Sequence, residues 1–368
     1  MHRTDIAEMV ASEPHWDLFK SRPKSRLEDP PGHLYSLCGT LLERFSIASE
    51  TAPSDLSQVD ANSDHRRLYI PLGGELGPTA SQGCAQLASC EIVCSKLAGG
   101  LVSVGAQSDS NLILAYPVRG AINTWRRGNW YPLPLGEPAL CLPGDVGIGL
   151  LKDATQITVR FLLDGATRLR LKSMRSSIRG YDPRPLNPAD AEVLTRLICY
   201  LGTEIGRQAE SHPGGQRLAA RLGALLAEEL DAILRTRFRF PPCEDDDLVQ
   251  ICKRVDTFIS QHMFDQIQLE DLASAGLCSV RQLHRAFDSS TFATPADYLQ
   301  RRRLMKARSW FIVQPDPEEI PTCPAHFFGF SSVAKLNSAY LAEFGETTKS
   351  TAQERRRAVL DAMNTALS

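Results

Sequence analysis

Residues 267–287, IQLEDLASAGLCSVRQLHRAF, constrain the fold more than any other stretch of the chain. Two short helical patterns meet there at Gly276, and glycine suits a tight turn because it tolerates positive φ. This arrangement predicts a helix-turn-helix, in which two short helices pack at a steep angle around a small apolar core. The predicted core consists of Leu269, Leu272, Ala273, Leu277, Leu283 and Phe287.

The second of these helices carries a polar surface. Ser279 is placed to cap it. With Leu283 and Phe287 turned inward, the residues left outward or flanking form what we call the outward row: Val280, Arg281, Gln282, His284 and Arg285. Arg and Gln have forked donors and acceptors that match guanine and adenine edges in the major groove, and a helix N-terminus attracts phosphate. We therefore predict that Ser279 and the outward row contact DNA; the alternative is a helical hairpin with an ordinary polar face.

The charge around this pair is basic, although the whole chain has a net charge of −2. Only Asp288 and Asp297 oppose the cations between 281 and 308, which are Arg281, Arg285, Arg301, Arg302, Arg303, Lys306 and Arg308. Taken alone, the run Arg301–Arg303 indicates a solvated helix face, as most charge runs do. Beside a helix-turn-helix it favours contacts of Arg301 and Arg302 with DNA phosphates.

Residues 248–357 resemble the DNA-binding domain of the AraC/XylS family of bacterial transcription regulators. The motifs that carry the resemblance are I-x-L-E-D-L-A at 267–273, S-x-R-x-L-x-R-x-F at 279–287, T-P-x-x-Y-L at 294–299, R-x-x-x-A at 303–307, G-F at 329–330 and F-G-x-T at 344–347. The resemblance implies two helix-turn-helix units joined by a rigid helix, each laying one helix into successive major grooves of double-stranded DNA. We also expect a homodimer, and RNA polymerase as a partner.

The second of these units departs from the family pattern. Its first helix should cover 320–327, but that segment contains Pro321 and Pro324, and proline weakens a helix interior. Its expected recognition helix, 331–344, offers Lys335, Asn337 and Ser338 as contacts. The first unit departs less: Phe292 stands where the family usually has glycine. We expect the first unit to supply most base discrimination and the second to contribute phosphate contacts and orientation. The alternative is a normally folded second unit that reads bases through Lys335 and Asn337.

The N-terminal half has a different pattern. Short β-like runs between 61 and 178, separated by Gly, Pro and Asp, predict an antiparallel sandwich or small barrel. This segment resembles, more weakly, the cupin-like sensor domain of many such regulators. It has no His-x-His pair with a downstream Glu and His, so we expect neither a metal nor another cofactor. The segment also contains Trp125, Arg127, Trp130 and Tyr131. These residues suggest a pocket for an aromatic or anionic effector; the alternative is a plain hairpin.

The predicted fold is therefore α+β and multidomain, with an N-terminal cupin-like β domain, a helical connector and a C-terminal all-α double helix-turn-helix domain. The predicted boundaries are 1–60 for a poorly defined segment, 61–178 for the β domain, 179–236 for a helical pair, 237–247 for a linker and 248–357 for the DNA-binding domain. The pair begins with Asn187 as its cap and Pro188 as its first residue. Its apolar stripes fit either the β domain or a second copy of the chain.

These patterns favour a sequence-specific DNA-binding transcription regulator, controlled by a small-molecule effector or by association through its N-terminal domain. An enzyme is not expected, because the scattered His2, His15, His33 and His65 form no catalytic set. We expect a cytoplasmic protein, since we find no signal-peptide core and no long apolar run. The alternative function is that of a co-regulator whose degraded second unit binds DNA weakly or acts through a partner regulator.

Overall fold

The computed structural model describes residues 30–44, 46–47, 67–72, 79–87, 89–106, 111–126, 128–143, 145–162, 165–174, 184–208, 213–238, 246–291, 293–313 and 325–367. Up to residue 238 the fold combines a sheet with helices, and from 246 onward it is helical. We call these parts the N-terminal region and the C-terminal region. No helix among these residues combines the length and the apolar character needed to cross a membrane.

The N-terminal region is built on one antiparallel sheet. Its strands are β1 (Ser46–Ile47), β2 (Arg67–Leu72), β3 (Thr79–Gln86), β4 (Cys90–Ala98), β5 (Gly100–Ala106), β6 (Asn111–Arg126), β7 (Asn129–Pro132), β8 (Ala139–Cys141), β9 (Val146–Leu162) and β10 (Arg184–Pro185). The strand order is β1-β3-β4-β9-β6-β8-β10, with β2 paired to β5, β5 to β9 and β7 to β6. Strand β9 therefore ties the sheet together, because it pairs with β4, β5 and β6.

The pairing of the two longest strands, β6 and β9, is irregular between Pro117 and Ala121 of β6, where the register shifts. Gly120 lies in this irregular segment with φ of +77°, and a Cβ there would lie 2.1 Å from the carbonyl oxygen of Asp153. A glycine is required at this position, because both the backbone conformation and the close approach exclude a side chain.

Three helices cover one face of the sheet: α1 (Pro30–Arg44), α3 (Pro188–Gln208) and α4 (Pro213–Phe238). Their apolar residues share a core with β4, β6 and β9, including Leu41, Leu114, Val159, Leu194 and Leu226. The predicted cap is confirmed, since the Asp190 N–H donates to Asn187 Oδ1 at 2.9 Å. Of the two partners that fit the helical pair, the structure places the sheet against it.

The element boundaries differ from those expected from the sequence. Helix α1 lies in the segment predicted as poorly defined, and its buried stripe (Leu34, Leu37, Cys38 and Leu41) has helical spacing that was visible in the sequence. The sheet reaches past 61–178, because β1 pairs with β3 and β10 pairs with β8. A short helix, α2 (Gly165–Ser173), lies inside the segment predicted as β-rich.

The C-terminal region contains six described helices: α5 (Asp246–Gln261), α6 (Leu269–Ala275), α7 (Val280–Thr291), α8 (Pro295–Val313), α9 (Val333–Phe344) and α10 (Thr348–Leu367). Helices α5, α6 and α7 surround one small core, and we call them the first unit. Helices α9 and α10 form the second unit; residues of α9 share a separate core with the end of α8. Helix α10 continues to Leu367, beyond the predicted end near 357.

The two regions pack against each other at two places. Leu169 of α2 lies in the core of the first unit. At the second place, the sheet packs on α8 and α10. The residues of this contact are Val102, Val104 and Ile148 of the sheet, Ile312 of α8, and Ala358 and Ala362 of α10. The N-terminal region thus contacts both units of the C-terminal region.

Candidate nucleic-acid interface

The α6–turn–α7 segment has the predicted helix-turn-helix core, with one exception. Leu272, Ala273, Leu283 and Phe287 are buried, as expected. Leu277 was predicted to be inside but is 80% exposed, with a left-handed φ of +53°. Leu277, rather than the neighbouring Gly276, therefore adopts the strained left-handed backbone conformation of the turn.

Gly276 is favoured by close packing rather than by the positive φ that was predicted. Its φ is −71°, so it does not supply the left-handed conformation. A Cβ at this position would lie 3.1 Å from Cys278 Sγ and 3.2 Å from Ile251 Cγ2, tighter than ordinary side-chain contacts. The Gly276 carbonyl also accepts from Arg254 Nε at 3.1 Å and Nη2 at 2.6 Å. Close packing of the turn on α5 explains the glycine.

Helix α7 begins with a reciprocal cap between Ser279 and Gln282. The Gln282 N–H donates to Ser279 Oγ at 3.3 Å, and the Ser279 N–H donates to Gln282 Oε1 at 3.0 Å. Ser279 Oγ also donates to Gln282 Oε1 at 3.0 Å. This is a capping box, which satisfies backbone donors at the start of the helix. Because the cap occupies Oε1, Gln282 can read adenine with both amide atoms only if the cap opens.

The outward row lies on the surface as a continuous strip. Arg281, Gln282, His284 and Arg285 are exposed, as is Ser279, while Val280 is half-buried against the core. At the end of the strip, a cleft of about 280 Å³ is lined by His284, Arg285, Asp288, Ala293 and Thr294. Helix α8 begins beside this cleft, where the Asp297 N–H donates to Thr294 Oγ1 at 3.1 Å. The structure thus brings the cations of α7 and a helix N-terminus together.

The Arg301–Arg303 run is not a solvated face. Arg302 is buried, with Nε 3.6 Å from Asp256 Oδ1 and Nη2 3.3 Å from Ser260 Oγ. Arg301 donates from Nη1 to the carbonyl oxygen of Ser173 in α2. The structure therefore engages both guanidinium groups within the protein and does not add them to the outward row, which argues against the phosphate contacts predicted for them. The partners of Arg301 and Arg302 are distant in sequence, so no local sequence pattern predicts these contacts.

Asp256 of α5 binds polar and charged groups from two other helices, α2 and α8. Its carboxylate accepts from Lys172 Nζ of α2 at 2.8 Å and from the Tyr298 hydroxyl of α8 at 2.7 Å, and Arg302 lies beside it. Burial alone would raise the pKa of Asp256, but the charges of Arg302 and Lys172, with the two hydrogen bonds, hold that pKa below its ordinary value. Asp256 is therefore a buried, ionised carboxylate that joins α5 to α2 and α8. We call this set of contacts the Asp256 junction.

The second unit presents its predicted contacts on α9. Ser332 caps this helix by accepting from the Lys335 N–H at 3.2 Å. Leu336 and Tyr340 are buried, whereas Lys335, Asn337 and Ser338 are exposed. Thr348, the first residue of α10, donates from Oγ1 to Asn337 Oδ1 at 3.0 Å. Asn337 is thereby oriented by a side chain of the next helix.

The helix expected over 320–327 is not seen in the part of that segment that the structure describes. Pro321 and Pro324 lie outside the described residues. Residues 325–329 form turns, in which the Phe328 N–H donates to the Ala325 carbonyl at 3.2 Å and the Phe330 N–H donates to the same carbonyl at 2.8 Å. Ala325 and Phe328 are nonetheless buried in the core of the second unit.

Two of the residues predicted to bind an effector, Trp125 and Trp130, lie at the contact between the two regions. Trp125 Nε1 donates to Glu354 Oε2 of α10 at 2.6 Å. The Trp125 and Trp130 rings meet edge to face, with centroids 5.0 Å apart. Tyr131 is exposed, and Arg127 lies outside the described residues. The tryptophans thus pack the sheet onto α10, a contact that a hairpin pattern does not reveal. No group of metal-binding side chains is found within the described ranges.

Relatives in sequence point to one kind of protein. The XylDLEGF operon transcriptional activator 2 of Pseudomonas putida is 28% identical over 116 residues, which are 32% of this chain and 74% of that protein. Activator 1 of the same operon and organism is 29% identical over 109 residues, which are 30% of this chain and only 33% of that protein. No family model matches the chain.

Solved structures give weaker similarities. The AraC-like transcriptional activator CuxR is 16% identical and aligns over 72% of this chain and 95% of its own, with a TM-score of 0.40. ToxT from Vibrio cholerae is 9% identical over 72% of this chain and 98% of its own, with a TM-score of 0.33. TM-scores of this size do not establish a shared fold.

The α6–turn–α7 segment, with its reciprocal cap and buried pair Leu283 and Phe287, defines a helix-turn-helix protein. Within that class, the motifs between 248 and 357 and the P. putida relatives make the chain a relative of the AraC/XylS-type transcriptional activators.

Proposed function

We propose that this protein is a sequence-specific DNA-binding transcription regulator of the activator type. The observation that carries the proposal is the exposed row Arg281, Gln282, His284 and Arg285 on α7, held above the fully buried Leu283 and Phe287. A rigid helix with forked donors along one face fits the major groove. The names of the P. putida relatives agree with this role.

Affinity and sequence preference come from different residues in this proposal. Arg281, the second residue of α7, is the best placed to donate both guanidinium arms to a guanine. Arg285 and the start of α8 attract phosphate, and such contacts weaken as salt rises. Lys335 and Asn337 on α9 add phosphate contacts and orientation in a neighbouring groove. Base discrimination then rests mainly on the first unit.

The N-terminal region is the regulatory part in this proposal. Its sheet is a cupin-like domain that binds a small-molecule effector or mediates association into a homodimer, and RNA polymerase is the partner of the DNA-bound protein in the cytoplasm. Trp125 and Trp130 support control by an effector, because they join the sheet to α10. A ligand that displaced their rings would directly change the contact between the two regions.

The test is selection of random duplex DNA by the full-length chain at low salt, followed by sequencing. A single enriched site is expected, and Arg281→Ala should relax preference at one of its positions by about 1–3 kcal/mol. Arg221→Ala is the matched control, since Arg221 is an exposed cation on α4. If Arg281→Ala selected the same site as the wild type, α7 would not be the reading helix.

A co-regulator is the second candidate, and one observation favours it. Residues 325–329 form turns, although a helix was expected over 320–327, and α9 exposes Val333 and Leu341 on its surface. A protein of this kind would use α9 to contact a partner regulator. Failure of the wild-type chain to enrich any DNA at low salt would favour this reading.

A further inference from the structure

We propose that α2 belongs structurally to the first unit, although in sequence it lies in the N-terminal region. In this proposal Lys172 and Ser173 position the recognition helix α7. The inference rests on the proposed function and adds a route by which the sheet controls DNA reading. Three sets of contacts carry it.

The first is burial of α2 on two sides. Leu169 lies in the core of the first unit, whereas Leu171, two residues on, lies in the core between the sheet and its helices. Arg170, between them, is also buried. A helix that contributes to two cores cannot move relative to one without disturbing the other, because protein interiors are close-packed.

The second set is at the end of α7. The last carbonyls of a helix have no partner inside that helix. Arg170 Nε donates to the Ser290 carbonyl at 3.2 Å, and Ser173 Oγ donates to the Thr291 carbonyl. Helix α2 therefore caps the C-terminus of α7 from outside, and the cation of Arg170 suits the negative end of a helix. The direction in which α7 points is set partly by residues of α2.

The third set is the junction at Asp256. Lys172 is buried and lies 2.8 Å from this carboxylate, which also binds Tyr298 of α8. Removing one partner of a buried ion pair is strongly unfavourable, because the other charge stays buried without compensation. Lys172 therefore fixes α2 to α5, and the same Asp256 carboxylate links both helices to Tyr298 of α8.

Helix α2 also has firm links to the N-terminal region. In sequence it comes directly after β9, the strand that joins the parts of the sheet, and Thr167 Oγ1 donates to Asp231 Oδ1 of α4 at 2.7 Å. A shift of β9 or α4 therefore reaches α7 through one short helix. This makes α2 the route by which the N-terminal region sets the angle of the recognition helix.

The test uses full-length Lys172→Met, which removes the charge and keeps a side chain of similar length. The ratio of affinities for the selected site and for random DNA is measured at fixed salt, with hydrogen exchange of the last-turn amides of α7. We expect the ratio to fall about tenfold, a change of about 1.4 kcal/mol, and α7 exchange to quicken. A purely structural role would lower both affinities through a smaller folded fraction and leave their ratio unchanged.

Two further variants make the result decisive. Ser173→Ala removes the hydroxyl that contacts the carbonyls of Thr291 and Arg170 and should shift both readouts in the same direction by less; it decides the matter if Lys172→Met does not fold. Arg160→Met is the control, because it breaks an ion pair with Glu91 that lies on the sheet. Wild-type ratio and exchange in both α2 variants would overturn the inference. Absence of a selected site in the wild type would overturn the proposed function instead, while hydrogen exchange would still test α2.

Discussion

The guanidinium group of Arg303 fills the space that a side chain at Gly329 would need. A Cβ on Gly329 would lie 2.4 Å from Arg303 Cζ, and the backbone there has φ of +72°. Arg303 donates to the carbonyls of Met263 and Asp265 in the first unit, at 3.2 and 2.5 Å, and to that of Gly329 at 3.5 Å. Nearby, the Phe264 and Phe327 rings stack with centroids 4.1 Å apart. One arginine of α8 thus fixes the second unit relative to the first, and the G-F motif provides the room.

Gly329→Ala should therefore destabilise the protein through two effects, the left-handed backbone and the clash with Arg303. Gly345→Ala is the matched control, because Gly345 has φ of +70° and open space around its Cβ position. We expect about 1–2 kcal/mol for the control and at least about 1 kcal/mol more for Gly329→Ala, measured by urea unfolding. Equal losses would mean that Arg303 moves aside at little cost.

Arg301→Ala should affect stability rather than salt dependence. The Arg301 guanidinium donates to the Ser173 carbonyl at the end of α2, so its loss should lower the free energy of unfolding by about 1 kcal/mol. The slope of log affinity against log salt should stay at the wild-type value, because no phosphate contact is lost. A slope that became shallower by about one unit would instead show Arg301 on a phosphate, as the sequence alone suggested.

Thr348→Val should loosen the second recognition helix without unfolding it. The variant keeps the shape of the side chain and removes the hydroxyl that binds Asn337 Oδ1. We expect binding to the selected site to weaken by about 1 kcal/mol with base preference unchanged, because Asn337 contributes a phosphate contact; competition between altered sites measures both. Thr348→Ser, which keeps the hydroxyl, should behave as wild type. A loss of preference at one base in the valine variant would instead show that Asn337 reads that base.

The Asp256 junction should give the protein an acid-sensitive stability. The folded pKa of Asp256 is lower than its ordinary value, so its contribution is complete above the ordinary value of about 3.9 and is lost as the pH falls through the folded pKa. Asp256→Asn should therefore be less stable at neutral pH and should lose less of its remaining stability in acid. Urea unfolding between about pH 7 and about pH 3 measures this, with Asp246→Asn, an exposed position on the same helix, as control. Parallel curves for Asp256→Asn and the wild type would contradict it.

The first unit was predictable because its information is local. The spacing of Leu272, Leu283 and Phe287 and the cap residue Ser279 lie within a short stretch, and each acts on its neighbours. The role of Gln282 in the cap was not predicted, and the burial of Leu277 and the positive φ of Gly276 were predicted wrongly. A leucine pattern indicates burial, but the tight turn turned the Leu277 side chain outward.

The contacts of α2 were not predictable for the opposite reason. Its sequence, ATRLRLKS, alternates apolar and basic residues, a pattern typical of a strand. Alternation arises here because the helix is buried on two sides by cores that come from distant parts of the chain. The same distance hid the partners of Arg301 and Arg302, whose charges indicate solvent or DNA unless Ser173 and Asp256 are known to lie beside them.

Helix α2 also decides where this molecule can be divided. Along the chain, a cut near residue 244 separates the sheet from the helices of the C-terminal region. In space, the same cut opens the first unit, exposes the apolar hollow that Leu169 fills and leaves Asp256 without its lysine. A chimera that joins these helices to a different N-terminal region would have to bring Gly165–Ser173 with them, because part of the first unit's core comes from the other side of the cut.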